Sequence, residues 1–372
     1  METCQRELLS FLQRNAPRLS GHSVLLAGEM PSSQILEVLE GCPHSAAVCD
    51  DLRVFSRLLA ALGLAGSPGA GQIEACAAAG QLTVLFAEPQ AAAEMLDGRR
   101  FERLLVLLGK SRAHSRRLVQ LLSACLAPGG QILLAGHNSM GGRSAASLLD
   151  CAPQARLRKA DSARKCTLHE VVELGPCTAA AELPVLTCEV AGQCCQLRQL
   201  PGVFSCGRAD AGTLLLLQAA APLLGSLPRS ARILDLGCGC GIISMVLAAM
   251  GFARVEASDI SATALALTWA NARLNGCEQV LTLHAAELLR GLGRYDLIIS
   301  NPPSHALRTR SREQLLALRD SLDGHLQPGG RLVMVANTFL QFGRDLAAAG
   351  WEVQETARAQ GYSVLMAARR PA

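Results

Sequence analysis

The sequence predicts an α/β protein made of two tandem copies of one domain, each with a mainly parallel sheet. Strand-like and helix-like segments alternate along the chain, which is typical of βαβ units. Residues 326–335 nearly repeat residues 126–135, because both read Leu-x-Pro-Gly-Gly followed by a polar residue and a strand-like apolar run. In both places a helix precedes the Pro-Gly-Gly turn and a strand precedes that helix. We therefore infer an internal duplication.

The first copy, residues 1–150, is expected to have lost its catalytic chemistry. Helices are predicted over Glu7–Arg14 and from about Ser111 to Leu126. Five apolar segments predict the strands between helices: 23–28, 45–50, 82–86, 104–108 and, after the Pro-Gly-Gly turn, 131–136. Where the second copy has Asn301-Pro302-Pro303, the first has Gly109-Lys110-Ser111. We interpret the first copy as a degenerate, non-catalytic partner domain.

Residues 151–200 are predicted to form a linking segment between the copies. Three prolines interrupt it: Pro153, Pro176 and Pro184. Residues 165–174 and 186–189 have the pattern of short strands, which argues against a free tether. The second copy, residues 201–372, is expected to be the catalytic domain.

Composition limits the class of protein. Half of the 372 residues are hydrophobic and 18% are charged, which excludes a wholly disordered chain. The 15 cysteines include no C-x₂-C pair, so the usual zinc spacing is missing and we expect no metal site. The N-terminus lacks a signal-peptide pattern, and the most apolar run, 213–227, is short and contains Gln218 and Pro222. We expect a cytoplasmic protein without a membrane partner.

Basic residues are clustered, although the net charge of +4 decides little by itself. Three clusters are present: Arg99, Arg100, Arg103, Lys110, Arg112, Arg116 and Arg117; then Arg156, Arg158, Lys159, Arg164 and Lys165; then Arg308, Arg310 and Arg312. Such clusters suit phosphate contacts with nucleic acid. A solvated helix face explains each cluster equally well, so both interpretations stay open.

A glycine loop follows the first strand of the second copy. Residues 232–236 predict a buried strand, and Gly237, Gly239 and Gly241 follow it before the next helix. Glycines let a ligand approach the backbone closely. The spacing Gly-x-Gly-x-Gly differs from the dinucleotide fingerprint Gly-x-Gly-x-x-Gly, and the Lys-Ser/Thr of a P-loop is missing. The loop therefore favours a nucleoside over a pyrophosphate.

Acidic residues lie at the ends of three successive strands. Asp235 at the first can hold an amine, directly or through solvent. Asp259 ends the second, where a carboxylate can accept both hydroxyls of a ribose. Ala286 and Glu287 end the third, where the edge of an adenine would lie. Each acid alone could cap a helix or lie in a solvated loop, but the three together beside a glycine loop favour a nucleoside site.

A further strand, 296–300, runs directly into Asn301-Pro302-Pro303. The prolines end the strand, because neither has an N–H for the sheet and each fixes φ. Ligand sites of open α/β sheets lie just beyond the carboxyl ends of strands. Asn301 therefore presents its amide at a rigid position beside backbone carbonyls. An ordinary strand that ends in a proline turn is the alternative.

Three segments resemble the motifs of class I S-adenosylmethionine-dependent methyltransferases: Asp235-Leu236-Gly237-Cys238-Gly239-Cys240-Gly241, Ser258-Asp259-Ile260-Ser261-Ala262 and Ser300-Asn301-Pro302-Pro303. Asn-Pro-Pro marks the branch that methylates amino groups conjugated to a π-system. More narrowly, Gly202-Val203-Phe204-Ser205, Asp210-Ala211-Gly212-Thr213, His305 and the duplicated first half resemble the ribosomal RNA small subunit methyltransferase C family. Those enzymes make N2-methylguanine in 16S ribosomal RNA.

The resemblance implies two Rossmann-like methyltransferase domains and an S-adenosylmethionine site in the second. The three glycines would approach the amino-acid end of the cofactor, Asp259 would hold its ribose, and Glu287 would stand near its adenine. The cofactor-binding residues expected in this way are Asp235, Gly237, Gly239, Gly241, Asp259, Ala286 and Glu287.

The resemblance also implies a catalytic site at Asn301, Pro302 and Pro303. The Asn301 amide and the Pro302 carbonyl would accept hydrogen bonds from the exocyclic amine of guanine. They would localise its lone pair and aim it at the methyl group, so catalysis is mostly orientation and electrostatics. Substrate contacts are expected from Ser304, His305, Arg308, Arg310 and Asp210.

The sequence departs from the family pattern after Asn-Pro-Pro. The family usually has an aromatic residue there, on which the target base stacks, whereas this chain has Ser304. The residues after His305 are Ala306-Leu307-Arg308 in place of a polar-glycine pair. Either another side chain supplies the stacking surface, or the activity or the substrate has changed.

The leading hypothesis is a monomeric guanine-N2 methyltransferase whose partner is ribosomal RNA or the small ribosomal subunit. The alternatives are a large-subunit rRNA guanine-N2 methyltransferase, a protein-glutamine methyltransferase, and a ribosome assembly protein that keeps the cofactor pocket but has weakened turnover. The duplicated first half and the basic clusters favour RNA over protein as the substrate.

Overall fold

The structure is a computed structural model that describes residues 2–69, 72–149, 154–173, 185–204, 207–302 and 308–369. The chain divides into two compact units. Unit 1 comprises residues 1–68 and 74–182, and unit 2 comprises residues 69–73 and 183–372. Each unit is organised around one large sheet, so the predicted α/β class with two domains is confirmed.

The described part of unit 1 contains the predicted strands together with two that were not predicted. The strands are β1 (Val24–Gly28), β2 (Ala46–Cys49), β3 (Ala75–Ala79), β4 (Leu82–Phe86), β5 (Phe101–Leu107), β6 (Leu126–His137), β7 (Arg156–Ala163) and β8 (Cys166–Glu173). The helices are α1 (Glu2–Asn15), α2 (Ile35–Val38), α3 (Leu52–Ala61), α4 (Pro89–Met95) and α5 (Arg112–Leu122). β3 and β7 escaped prediction because these outer strands carry few large apolar residues.

The sheet of unit 1 has the order β3-β4-β2-β1-β5-β6-β8-β7. Its five central strands are parallel, and β3, β8 and β7 pair antiparallel. The residues of β1 from Val24 to Ala27 are all buried, as expected for a parallel strand covered on both faces.

The described part of unit 2 contains a hairpin and a seven-stranded sheet. Its strands are β9 (Leu186–Val190), β10 (Gln193–Leu197), β11 (Arg232–Leu236), β12 (Arg254–Asp259), β13 (Leu281–Ala285), β14 (Tyr295–Ser300), β15 (Leu326–Asn337), β16 (Trp351–Ala359) and β17 (Tyr362–Arg369). Its helices are α6 (Ala211–Ser226), α7 (Ile242–Ala249), α8 (Ala262–Leu274), α9 (Arg308–His325) and α10 (Phe342–Ala348).

The sheet of unit 2 has the order β13-β12-β11-β14-β15-β17-β16, in which β17 pairs antiparallel with both β15 and β16 and the first five strands are parallel. Unit 1 repeats this order in β4-β2-β1-β5-β6-β8-β7 and adds β3 at one edge. The Pro-Gly-Gly glycines Gly129 and Gly329 also share a left-handed backbone, with φ of +78° and +77°. The two units are therefore copies of one Rossmann-like domain.

The predicted linking segment, 151–200, belongs to the two units. Within it, β7 and β8 complete the sheet of unit 1, whereas β9 and β10 form a hairpin in unit 2. The boundary between the units thus lies after β8 rather than at residue 150. The predicted boundary was placed too early for a physical reason. Strands at the edge of a sheet carry a weaker apolar pattern than the buried strands at its centre.

An ionic network centred on the buried Glu256 joins four parallel strands of unit 2, β11 to β14. Glu256 on β12 accepts hydrogen bonds from Arg232 Nε at 2.5 Å, His284 Nε2 at 2.7 Å and the Tyr295 hydroxyl at 2.9 Å. Burial raises the pKa of Glu256, but these three bonds outweigh burial and lower it to about 2. The network fixes the spacing of the strands that carry the site.

Within the described residues, no helix combines the length and hydropathy needed to cross a membrane.

Candidate active site

The carboxyl ends of β11, β12, β13 and β14 lie side by side in the sheet of unit 2. Leu236 is in register with Ser258 on one side and with Ser300 on the other, and Asp259 is in register with Ala285. The Ser300 hydroxyl also donates to the carbonyl of Leu236 at 2.7 Å. The glycine loop, the acids and Asn301 therefore meet at one end of the sheet, the place where open α/β folds bind ligands.

The glycine loop after β11 needs its glycines. Gly237, Gly239 and Gly241 all have positive φ, at +76°, +58° and +81°, which side chains rarely adopt. A Cβ on Gly241 would lie 2.8 Å from the Thr268 side chain, whereas Gly237 and Gly239 face open space. The loop therefore leaves room for a ligand to contact the backbone.

Two residues of α8 that the sequence did not single out hold this loop. Thr268 Oγ1 donates to the carbonyl of Gly239 at 3.1 Å, and Asn271 Nδ2 donates to the carbonyl of Cys240 at 2.8 Å. Thr268 and Asn271 are both buried and stand three residues apart, on one face of the helix. In the sequence, the three-residue spacing of Thr268 and Asn271 was the only sign that both could face the loop.

Asp235 lies buried beneath the loop with one oxygen satisfied. Its Oδ2 accepts the backbone N–H of Ser244 at 3.1 Å and the Ser244 hydroxyl at 2.6 Å. Its Oδ1 is buried without a hydrogen-bond partner. Burial raises the pKa of the carboxyl to about 7, although the Ser244 bonds act in the opposite direction. Such an orphaned oxygen suits a donor such as an ammonium group.

Asp259 stands between the glycine loop and the end of β13. Its Oδ2 accepts the Gly239 N–H at 3.0 Å and its Oδ1 accepts the Ser261 N–H at 3.0 Å. The Ala286 N–H donates to the Asp259 carbonyl at 3.0 Å, and Glu287 next to it is exposed. The partly exposed carboxylate beside an open glycine loop can accept hydroxyl groups of a ribose. The carboxylate acceptor and the open loop together therefore fit a nucleoside cofactor.

Asn301 directly after β14 is fixed by two hydrogen bonds. Its Nδ2 donates to Asp210 Oδ2 at 2.9 Å and to Thr213 Oγ1 at 2.7 Å. A carboxylate only accepts, so this pairing defines which end of the amide is nitrogen. Both amide hydrogens are thus engaged, which leaves the partly exposed Asn301 with Oδ1 as an acceptor for a ligand.

Asp210 and Thr213 form the N-terminal cap of α6. Asp210 Oδ2 accepts the Thr213 N–H at 2.9 Å, in the usual N-cap geometry. The sequence predicted Asp210 as a substrate contact and did not assign Thr213 to the site. Among the described residues, the hydrogen bonds of their side chains join them to each other and to Asn301. In the sequence, an Asp followed three residues later by a Thr at the start of a predicted helix was the available sign of this cap.

The remaining predicted residues lie close to the limit of the described chain. Pro302 is described and partly exposed. Pro303, Ser304 and His305 lie outside the described residues, and Arg308 and Arg310 are described only as backbone in the first turns of α9.

The structure separates the basic residues by their contacts. Arg99 donates to Thr83 Oγ1 at 2.8 Å and to the carbonyl of His44 at 2.9 Å, and Arg117 forms a largely buried ion pair with Glu88. Those arginines support the fold of unit 1. The second cluster lies exposed on the β7–β8 hairpin, although Arg158 pairs with Glu170 and Arg164 donates to the Ser10 hydroxyl at 2.7 Å. Its members are Arg156, Arg158, Lys159, Arg164 and Lys165.

One group of metal-type ligands occurs among the described residues: Cys4, Glu7 and His137, with ligand atoms within 4.8 Å of one another. His137 Nδ1 accepts the Ser139 N–H at 3.2 Å, which places the ring proton on Nε2. That nitrogen lies 3.0 Å from Glu7 Oε2 and donates to it. This hydrogen bond joins α1 to β6.

Two family descriptions match the chain in succession. "Methyltransferase small domain N-terminal" matches residues 10–178, and "Methyltransferase small domain" matches residues 195–366. The ribosomal RNA small subunit methyltransferase C of Pseudoalteromonas atlantica is 34% identical over 270 residues, 71% of this chain and 76% of its own. The protein of the same name from Vibrio vulnificus is 28% identical over 339 residues, 89% of each chain.

Among solved structures, this chain is similar to the T. thermophilus 16S rRNA N2 G1207 methyltransferase in complex with AdoMet and guanosine. The TM-score is 0.74, and the match covers 98% of this chain and 92% of the other. At 21% identity, this likeness establishes the shared fold.

Proposed function

We propose that this chain, which belongs to the ribosomal RNA small subunit methyltransferase C family, transfers a methyl group from S-adenosylmethionine to the exocyclic N2 amine of a guanosine in 16S ribosomal RNA. The observation that carries this proposal is the orientation of the Asn301 amide. Because Asp210 and Thr213 engage both of its hydrogens, its Oδ1 is available as an acceptor at the end of β14.

The chemistry that Asn301 supports is activation of an amine. The exocyclic amine of guanine is a weak nucleophile, because its lone pair is delocalised into the ring. Asn301 Oδ1 and the Pro302 carbonyl would each accept one of its hydrogens, which localises the lone pair and directs it. Engagement of both Asn301 hydrogens also polarises the amide and strengthens Oδ1 as an acceptor. The contribution of these residues is therefore orientation and electrostatics.

The carboxyl ends of β11–β13 would hold the cofactor, which supplies an electrophilic methyl group when bound. Asp259 would accept the ribose hydroxyls, and Ala286 with Glu287 would line the adenine. The glycine loop would accommodate the amino-acid end, and the orphaned Asp235 Oδ1 would receive its ammonium group. These assignments are supported by the open backbone at Gly237 and Gly239.

We assign catalysis to unit 2 and a supporting role to unit 1. In unit 1 the Glu29 N–H at the end of β1 donates to the Leu107 carbonyl at 3.0 Å. The Glu29 side chain lies over Gly109, where a Cβ would be 2.5 Å from Glu29 Cγ. In unit 1 the Glu29 side chain therefore lies against the backbone of Gly109. The corresponding strand end of unit 2 is followed instead by an open glycine loop. This difference supports a degenerate first domain.

Phosphate contacts are proposed for the exposed β7–β8 hairpin of unit 1. Its five cations lie on a two-stranded element at the edge of the sheet, which can follow an RNA backbone. We retain as predictions of the sequence the substrate contacts from Ser304, His305, Arg308 and Arg310. A monomeric state and a cytoplasmic location also remain predictions.

The test is methyl transfer with identification of the product. Purified enzyme and radiolabelled S-adenosylmethionine would be incubated with ribosomal subunits from a strain that lacks this activity, and the labelled nucleoside would be identified by mass. We expect N2-methylguanosine in 16S ribosomal RNA. Label in large-subunit RNA or in protein glutamine would contradict the proposal. A parallel reaction with Asn301→Ala controls for a contaminating methyltransferase.

A further inference from the structure

A tyrosine lies at the same end of the sheet as Asn301. Tyr362 is the first residue of β17 and is in register with Asn337, the last residue of β15. β15 runs parallel to β14, so the start of β17 lies where β14 ends. Gln360 and Gly361 before it have φ of +50° and +81°, a tight turn that puts the partly exposed Tyr362 at the rim.

The Tyr362 ring packs on the first turn of α6. A Cβ on Gly212 would lie 3.2 Å from Tyr362 Cε1 and 3.3 Å from Cδ1, so the ring packs directly against the backbone of this glycine. The same position would lie 2.9 Å from Asp210 Oδ2. The ring and the carboxylate that holds Asn301 are therefore neighbours across Gly212. In agreement with this placement, burial and the charge of Asp210 raise the pKa of the Tyr362 hydroxyl, which keeps it neutral.

The other tyrosine of the chain cannot present its ring to a ligand. Tyr295 is fully buried and donates to Glu256. Phe339, which follows β15, is a further aromatic side chain at this end of the sheet and is 46% exposed. Tyr362, in contrast to Tyr295, is partly exposed and is connected through Gly212 and Asp210 to the amide of Asn301.

We propose that Tyr362 supplies the aromatic contact to the target guanine that a residue after Asn-Pro-Pro usually provides. The sequence has Ser304 at that position, which offers no ring. A base whose amine is held by Asn301 needs an apolar surface beside it, because stacking is a main source of affinity for an unpaired base. The inference rests on the proposed guanine-N2 activity and names a further residue of that site.

The test compares three variants at saturating S-adenosylmethionine. Tyr362→Leu keeps an apolar side chain over Gly212 but removes the ring, Tyr362→Phe keeps the ring, and Phe339→Leu is the matched control at an exposed aromatic residue of the same end of the sheet. We expect Tyr362→Leu to raise the KM for ribosomal RNA about 10- to 100-fold, with Tyr362→Phe and Phe339→Leu close to the unmodified enzyme. Cofactor affinity and Tm should change little.

Two further measurements separate stacking from other roles. The slope of RNA affinity against salt concentration should be unchanged in Tyr362→Leu, because stacking releases no counterions. Adding Ser304→Phe to Tyr362→Leu should restore the KM. An unchanged KM in Tyr362→Leu, or a parallel loss of cofactor affinity, would overturn the proposal. Failure of the proposed activity is distinct, because the unmodified enzyme would then make no N2-methylguanosine.

Discussion

The carboxylate of Asp210 orients the amide of Asn301. Asp210 Oδ2 lies 2.9 Å from Asn301 Nδ2, although the two residues are 91 positions apart in the sequence. The same oxygen caps α6 by accepting the Thr213 N–H. The start of a helix and the end of a strand are therefore joined at one oxygen, and the acceptor of the proposed reaction is positioned by this joint.

The first prediction concerns Asp210. Asp210→Ala should lower the rate of methyl transfer about 100-fold, because a small displacement of Asn301 spoils the alignment of the amine. Asp210→Asn should lower the rate of methyl transfer less, because asparagine caps a helix equally well and its side-chain oxygen can accept from Asn301. Single-turnover transfer with saturating substrates measures the effect.

A matched cap in unit 1 controls for helix stability. Ser111 caps α5 by accepting the His114 N–H at 3.2 Å. Ser111→Ala and Asp210→Ala should each cost about 1 kcal/mol of folding free energy. Only Asp210→Ala should slow methyl transfer, and an equal loss of rate in both variants would assign Asp210 to stability alone.

The second prediction concerns Thr213. Thr213→Val removes the hydroxyl that accepts from Asn301 at 2.7 Å but keeps the volume of the side chain. We expect kcat to fall about tenfold, the effect of one lost hydrogen bond. Thr213→Ser retains the hydroxyl and should remain near the unmodified rate. Equal rates for the valine and serine variants would exclude a role for this contact.

The third prediction concerns cofactor affinity. Asp259→Ala should weaken S-adenosylmethionine binding about 10- to 100-fold in calorimetry, because a charged acceptor for the ribose is lost together with the Gly239 contact. Asp320→Ala, which removes an exposed acid on α9, should leave the Kd unchanged. Unchanged affinity in Asp259→Ala would refute the cofactor site.

The fourth prediction is a pH dependence of stability from Asp235. Its pKa is raised from 3.8 to about 7 by burial, so the folded state prefers the protonated carboxyl. The contribution of this group to the free energy of unfolding is fully present below about pH 4 and is lost as pH rises through 7, by up to about 4 kcal/mol. Urea unfolding of the cofactor-free protein at pH 5 and pH 8 would measure the loss.

Asp235→Asn is the control for that pH effect, since the amide does not titrate. The variant should lose most of the difference in stability between pH 5 and pH 8. If the unmodified protein and Asp235→Asn show the same pH dependence, the carboxyl titrates near its ordinary pKa and the assignment of a protonated Asp235 is wrong.

The sequence predicted the centre of each sheet better than its edges. β1, β2 and β14 are buried on both faces and form near-continuous apolar runs, which composition alone reveals. β7 is an outer strand with charged and half-exposed residues. Its pattern is weak because solvent covers one face, so the boundary of unit 1 was placed too early.

The same contrast applies to the site. Gly237, Asp259 and Asn301 were recognisable because each stands at a fixed place after a strand. Thr213 was not assigned to the site, because its partner Asn301 is 88 positions away and only the fold brings them together. Tyr362 was missed for the same reason, since its neighbour Gly212 lies on a helix far from it in the sequence.

The central claim is that Asn301 activates the amine, and Asn301→Ala tests it most directly. Single-turnover methyl transfer to ribosomal RNA should fall about 10³-fold, as expected when a preorganised polar group at the reacting centre is removed. The Kd for S-adenosylmethionine should stay within about twofold, because the cofactor residues lie on other strands. Transfer by Asn301→Ala at the rate of the unmodified enzyme would contradict the account.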